Sequence, residues 1–169
     1  DYTVAHPVND SALMMAFPAF EKPEAWIWNR STHSTEPLVQ PAPEVVMDIR
    51  SDGSTLVWLQ VPPKDPGAPY FPPGNLWTSP FATSKAALQP QKRRPISMVG
   101  TPTGAAGQGF YAMYGITPDR KIHVYRLEDA QHWEFVPPAE TYNIREVSHV
   151  DPKYVWYWTV TGVYRQALD

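Results

Sequence analysis

The sequence predicts an all-β fold: an antiparallel β-sandwich or barrel with long Pro-rich loops. Three observations point there. Twenty of the 169 residues are proline, more than double the average share of about 5%. Proline has no amide donor and clashes inside a helix, so the chain cannot be mainly helical. Aromatic residues reach 13%, with seven Trp and nine Tyr, side chains that suit a pleated, half-buried surface. The other apolar residues fall into short runs separated by Gly, Pro, Asn and Asp turn signals.

Along the chain, Ser11–Ala16 and Ala25–Trp28 are apolar runs bounded by Asp10, Pro18, Pro23 and Asn29. Glu44–Arg50 passes through Ser51-Asp52-Gly53 into Ser54–Val61, and a polar Asp-Gly link between two β-rich runs suits a tight hairpin. In the second arm Leu56 and Trp58 share one face and Val57 and Leu59 the other, the pattern of a strand covered on both sides. Pro62 to Pro95 reads as a long ordered loop or polyproline segment, because Pro-Pro-Lys-Asp-Pro-Gly-Ala-Pro and Phe-Pro-Pro-Gly-Asn cannot sustain a ladder. A short helix at Pro80–Leu88, capped by Ser79, fits inside it. Strands resume at Pro95–Val99 and Gly109–Thr117. Pro118-Asp119 turns into Lys121–Leu127, and Glu128-Asp129-Ala130 leads to Gln131–Val136 as a second hairpin. Thr141–Val147 and Tyr154–Arg165 bring the total to about nine to eleven strands, spaced as in a sandwich or barrel. No repeat of fixed period stands out, which disfavours a propeller. Residues 1–169 read as one β-rich domain, and the start at Asp1 without methionine reads as a piece excised from a longer polypeptide.

Composition narrows the function. A net charge of −3 and a pI near 5.9 supply no basic field for nucleic acid or anionic membrane. No apolar run approaches the roughly 18 residues of a membrane span, so no membrane insertion is expected. With no cysteine there is no disulfide frame and no thiolate chemistry. Gly100–Gly109 is glycine-rich but lacks the Lys-Ser/Thr pair and helix start of a phosphate cradle, and reads as a hairpin loop. Asp48–Gly53 has part of a calcium-loop spacing, but Arg50 stands where an oxygen ligand belongs, so it reads as a β-turn. Histidines sit at 6, 33, 123, 132 and 149, with no pair at helical zinc spacing. His123 and His132 fall in adjacent strands and could face one another; they read as surface polar residues rather than a metal site or pH switch. Glu128, Asp129, Glu134, Glu140 and Glu146 cluster weakly, and a glycosidase needs two carboxylates across a cleft. No Gly-x-Ser-x-Gly elbow appears. Asn9-Asp-Ser11 and Asn29-Arg-Ser31 match the glycosylation sequon. No cofactor or metal is expected, and binding is expected rather than catalysis.

The aromatics and the one basic run supply the candidate contacts. Trp rings stack on sugars or anchor interfaces because they offer large area with few rotors. Trp58, Trp156 and Trp158 lie in strands and read as core. Loop residues Tyr70, Phe71 and Trp77 are open to either reading, and Lys92, Arg93 and Arg94 form a charged loop.

The start at Asp1, the Val61-Pro-Pro-Lys-Asp-Pro-Gly connection, the absent cysteine and the aromatic closing strand Tyr154–Tyr164 together resemble the protruding domain of a small non-enveloped RNA-virus capsid protein of the Lake Sinai virus type. That resemblance implies a domain on the virion surface, or otherwise extracellular, that self-associates with identical neighbours as a dimer or trimer and attaches to a host receptor or glycan. Its contacts would be Tyr70, Phe71, Trp77, Lys92, Arg93 and Arg94. The second function class is a carbohydrate-binding, lectin-like or glycoside-hydrolysing β-sandwich domain.

Overall fold

The computed structural model describes residues 2–9, 11–17, 24–39, 44–69, 71–96, 103–115, 121–138 and 144–169. Tyr70, Glu140, residues 100–102, and the ends of the expected strands at 97–99, 116–117 and 141–143 lie outside them. The described residues form four antiparallel sheets in chain order. Tyr2–Val8 (β1), Ser11–Phe17 (β2), Glu24–Asn29 (β3) and Ser34–Val39 (β4) make the first. Val45–Ser51 (β5), Thr55–Val61 (β6), Gly74–Pro80 (β7) and Gln91–Ile96 (β8) make the second. Thr103–Gly107 (β9), Phe110–Tyr114 (β10), Ile122–Arg126 (β11) and His132–Phe135 (β12) make the third. Ile144–Val150 (β13), Tyr154–Thr159 (β14) and Val163–Ala167 (β15) make the fourth. Within each sheet, every strand pairs antiparallel with its neighbour in sequence.

The all-β, antiparallel expectation holds. In place of a two-layer sandwich or closed barrel, however, the sheets stack face on face in succession, each a small up-and-down meander. First strands sit together along one side, β5 against β9 and β9 against β13. That is the arrangement of successive propeller blades, the architecture that the missing repeat disfavoured. The repeat is hidden because the first strands begin at residues 2, 45, 103 and 144, and the Pro-rich insertion between β6 and β7 lengthens the second unit.

The proline content is accommodated by position. Pro7, Pro37 and Pro95 lie on β1, β4 and β8, the outer strands of their sheets, and Pro80 ends β7. A residue without an N–H is tolerated there because no ladder bond is lost on the open side. The segment expected as one long loop therefore contains two strands, β7 and β8. The expected helix is a single 3-10 turn, Lys85–Ala87, capped by Ser84 rather than Ser79, with the Ser84 hydroxyl accepting from the Ala87 amide.

Three apolar cores fill the three spaces between sheets. Ala25, Ile27, Leu38, Ile49, Leu56 and Trp58 lie between the first and second. Val57, Leu59, Leu76, Tyr111, Met113 and Tyr125 lie between the second and third. Ala112, Ile122, Val124, Val147, Val155 and Tyr157 lie between the third and fourth. β6 contributes alternate residues to two cores, as its two-faced pattern indicates. Trp77 pairs in register with Trp58; the two indoles stack at 6.3 Å and 9°, and Trp77 packs against the first core.

Two glycines let the first strands approach. A Cβ at Gly104 would lie 2.5 Å from Asp48 Oδ2 and 2.8 Å from the Tyr111 hydroxyl. One at Gly107 would lie 2.4 Å from the Val150 carbonyl oxygen. All three distances are closer than side-chain carbon tolerates, so β9 fits between β5 and β13 only without side chains at these points.

Trp77 is thus a strand residue of the core rather than a loop contact. Trp77→Ala should lower the unfolding free energy by about 3 kcal/mol, the low end for Trp truncation because the ring is only partly buried. Urea denaturation checks this; a loss below about 1 kcal/mol would contradict the core assignment.

Candidate functional site

Three polar constellations occupy the junction of the second and third sheets. The first is buried among the leading strands. β5 has a register shift between Val46 and Asp48, and the extra residue turns Asp48 toward the third sheet, as bulges commonly re-aim side chains. There Asp48 Oδ1 pairs with Arg50 Nη1 at 2.8 Å, and the Tyr111 hydroxyl donates to Asp48 Oδ2 at 2.8 Å. Arg50 Nε donates to the Gly104 carbonyl at 2.6 Å and Nη1 to the Ile49 carbonyl at 3.1 Å. Burial, reinforced by the Asp48 charge, holds the Tyr111 phenol well above its ordinary value, so it remains a donor. Burial and then the Arg50 charge push His6 below the ordinary histidine value. Its Nε2 is buried and has no hydrogen-bond partner among the described residues.

The second constellation is an open cleft of about 720 Å³ between the sheets, lined among others by Asp52, Thr78, Gln91, Arg93, Gln108 and Arg126. Its walls are turns whose sequence dictates their shape. Gln108 and Gly109 both have positive φ, 48° and 82°, as a two-residue hairpin turn requires; the glycine-rich stretch is thus strand β9 plus a tight turn. Asp52 Oδ1 accepts from the amides of Ser54 and Thr55, and Oδ2 accepts from the Gly109 amide at 2.8 Å, joining two sheets. Arg93 Nε donates to Thr78 Oγ1 at 2.7 Å, and no carboxylate pairs with Arg93 among the described residues. Arg126 is neutralised by Asp129, which accepts from both its Nε and Nη2.

The third constellation follows along the same strands. β11 and β12 pair His123 with Glu134 and Tyr125 with His132, which puts the four side chains on one face. His132 stacks on Tyr125 at 4.7 Å and on His123 at 5.2 Å. Lys121 contacts Glu134 Oε1. Burial, then the charge of Arg94, and then His123 hold His132 down to about 4.

The residues expected as loop contacts separate. Lys92, Arg93 and Arg94 lie on strand β8 rather than in a loop. A register shift beside Trp77 and Leu76 turns the consecutive Arg93 and Arg94 toward the third sheet, while Lys92, opposite Trp77, is exposed. Arg93 reaches the cleft. Arg94 lies over the Tyr125 ring, 5.5 Å from its centroid, and donates to the Ala130 carbonyl. Phe71 packs against the second core and Trp77 against the first, so neither joins the arginines. His123 and His132, expected as surface polar residues, are half-buried and in contact. Sequence reasoning read Asp48–Gly53 as a β-turn with part of a calcium-loop spacing, whereas Asp48 lies on strand β5; it did not single out Tyr111, and it gave none of these residues its partner, because the partners lie far away along the chain.

No protein-family model and no curated protein matches the chain. Solved structures do resemble it. An oligogalacturonate lyase in complex with manganese superposes with a TM-score of 0.65 at 12% identity, covering 99% of this chain and 48% of the other. TolB from Acinetobacter baumannii gives 0.55 at 8% identity, covering 99% and 43%. The β-propeller domain of the Trilobed protease from Pyrococcus furiosus gives 0.54 at 14% identity, covering 98% and 52%. The chain spans about half the length of these proteins or less. At such identities the likeness shows a β-propeller fold and nothing finer. It overturns the capsid-surface function expected above: the similar structures are propeller proteins, so the virion, attachment and sandwich assignments fall with it.

Asp52 gives the cleft a pH signature. Burial alone would raise its carboxyl, but the donors from Ser54, Thr55 and Gly109 outweigh burial and hold it below the ordinary 3.8. A depressed folded value contributes stability that is present above 3.8 and is lost as pH falls through the folded value. Asp52→Asn should cost on the order of 1 kcal/mol at neutral pH and flatten the acid limb of the stability profile. Thermal melts from neutral pH down to the unfolding range read both; an acid limb unchanged by the substitution would refute the assignment.

Proposed function

We propose that this propeller segment binds carbohydrate in the cleft between its second and third sheets, and that it favours sugars bearing carboxylates. The observation that carries this is Arg93. Its guanidinium reaches a cleft lined by hydroxyl and amide groups from Thr78, Gln91 and Gln108 and by the carboxylates of Asp52 and Glu128; it is held by the neutral Thr78, and no carboxylate pairs with it among the described residues. Arginine's planar fork suits a carboxylate in two-pronged contact, and the volume suits a small oligosaccharide. The similar oligogalacturonate lyase supports an acidic sugar in kind. Titrating the chain calorimetrically with galacturonate oligomers and with uncharged oligomers of equal length tests the reading. Binding of the acidic series should weaken roughly 10–100-fold in Arg93→Ala, the worth of a hydrogen bond to a charged group. Equal affinity for both series, or no effect of the substitution, would sink it.

A second reading concerns partners. Every inward sheet face is covered by the next sheet, but the outward face of the fourth carries Tyr154, Trp156 and Trp158, with the Arg165 guanidinium 4.7 Å from the Tyr154 ring centroid and 5.5 Å from that of Trp156. Trp158 and Val163 are each about half exposed there. On the outward side of the first sheet lie Trp26 and Trp28, alternating with the buried Ala25 and Ile27. We propose that a second copy applies its first sheet to this fourth sheet. Both outward faces carry indole side chains, which supply large apolar area for such a contact. Sedimentation at several concentrations should show a dimer that Trp158→Asp dissociates without lowering the melting temperature. A monomer at every concentration would overturn the pairing.

A further inference from the structure

We propose that His123, His132 and Glu134 form a three-ligand site for zinc or a similar divalent transition ion. The antiparallel pairing of β11 and β12 sets His123 across from Glu134 and Tyr125 across from His132. Directly opposed residues hold their Cβ atoms about 4.5–5.5 Å apart, so both imidazoles and the carboxylate converge on one patch. His123 Nδ1 lies 3.0 Å from His132 Nε2 and 3.9 Å from Glu134 Oε2. One donor atom from each residue lies within 4.8 Å of the others. Zinc holds nitrogen and oxygen ligands at about 2.0–2.2 Å in tetrahedral array, which separates the donors by roughly 3.4 Å. The observed spacings bracket that value, and small rotations of the imidazoles about χ2 bring their lone pairs to a common point.

The surroundings favour coordination over a solvated surface pair. His132 lies beside both the Tyr125 ring at 4.7 Å and His123 at 5.2 Å, nearly parallel to each, with interplanar angles of 9° and 6°, so the three rings form one packed group. Lys121 engages Glu134 Oε1 and leaves Oε2 turned toward His123. A carboxylate held in that way presents one oxygen to an ion while the other is oriented from outside, as supporting partners of metal ligands commonly do. Arg94, a second cation near the site, is directed to the Ala130 carbonyl and the Tyr125 face. Three protein ligands leave a fourth position for water or an added ligand. The site lies on β11 and β12, and β11 ends at Arg126 in the cleft proposed above to take sugar, yet the site does not depend on sugar binding.

The test uses the tag-free chain, cleared of adventitious metal with a chelator and titrated with zinc chloride alone, with magnesium chloride as control. One zinc per chain should bind, magnesium should not, and the melting temperature should rise with zinc. Cobalt(II) should give the intense visible absorption of a tetrahedral ion. His132→Ala and Glu134→Gln should each weaken zinc at least tenfold and remove the rise in melting temperature. Glu134 is largely exposed, so Glu134→Gln keeps the test decisive if the histidine variant fails to fold. Absence of zinc binding, or binding that neither substitution weakens, would overturn the site. Sugar is absent throughout, so failure of the cleft to bind sugar leaves this outcome unaffected.

Discussion

Close approach of the leading strands is the constraint on which the molecule depends. Each sheet is only three or four strands wide, too small to bury both of its faces alone. Stability comes from sheet against sheet, and that stacking needs the first strands to come together on one side. Gly104 and Gly107 make it possible by removing two side chains where β9 meets Asp48, Tyr111 and the Val150 carbonyl. The Asp48–Arg50–Tyr111 group then fills the space with hydrogen bonds rather than apolar atoms. A buried ion pair is a weak source of net stability, since desolvation offsets much of its attraction. Its satisfied geometry instead sets how β5 and β9 slide against one another. Register matters here because a one-residue slip would carry Asp48 into an apolar core.

The same junction explains why polar chemistry gathers between the second and third sheets. Register shifts in β5 and β8 present Asp48, Arg93 and Arg94 to the third sheet. In strict alternation, one of the two adjacent arginines would face the first core. The cleft opens where the turns of the two sheets end, and Asp52 ties those turns together through the Gly109 amide. Further along, the β11–β12 pairing continues the polar face into the histidine group.

The Trp residues divide by partner rather than by element type. Trp58 and Trp77 stack inside a core. Trp156 and Trp158 lie in a strand too, yet Trp158 is half exposed, on the face of the fourth sheet turned away from the third. Both stand in the expected strand, but they lie on its outward face, so the expectation of core packing fails for Trp158.

What the sequence alone determined is local. Proline content excluded helix, Asp-Gly placed the β5–β6 hairpin, and the two-faced pattern of Leu56–Leu59 marked a strand covered on both sides. Each of these acts over a few residues, through backbone sterics or alternation, and so can be read along the chain. What the tertiary structure decided was how many layers there are and which side chains meet. β7 and β8 escaped notice because proline tolerated at a sheet edge looks, in sequence, the same as proline in a loop. The propeller arrangement escaped because its units differ in length. Asp48 and Tyr111 are 63 residues apart, Asp52 and Gly109 57, Arg50 and Gly104 54. No local pattern encodes such pairs; only the stacking of sheets brings them within a hydrogen bond.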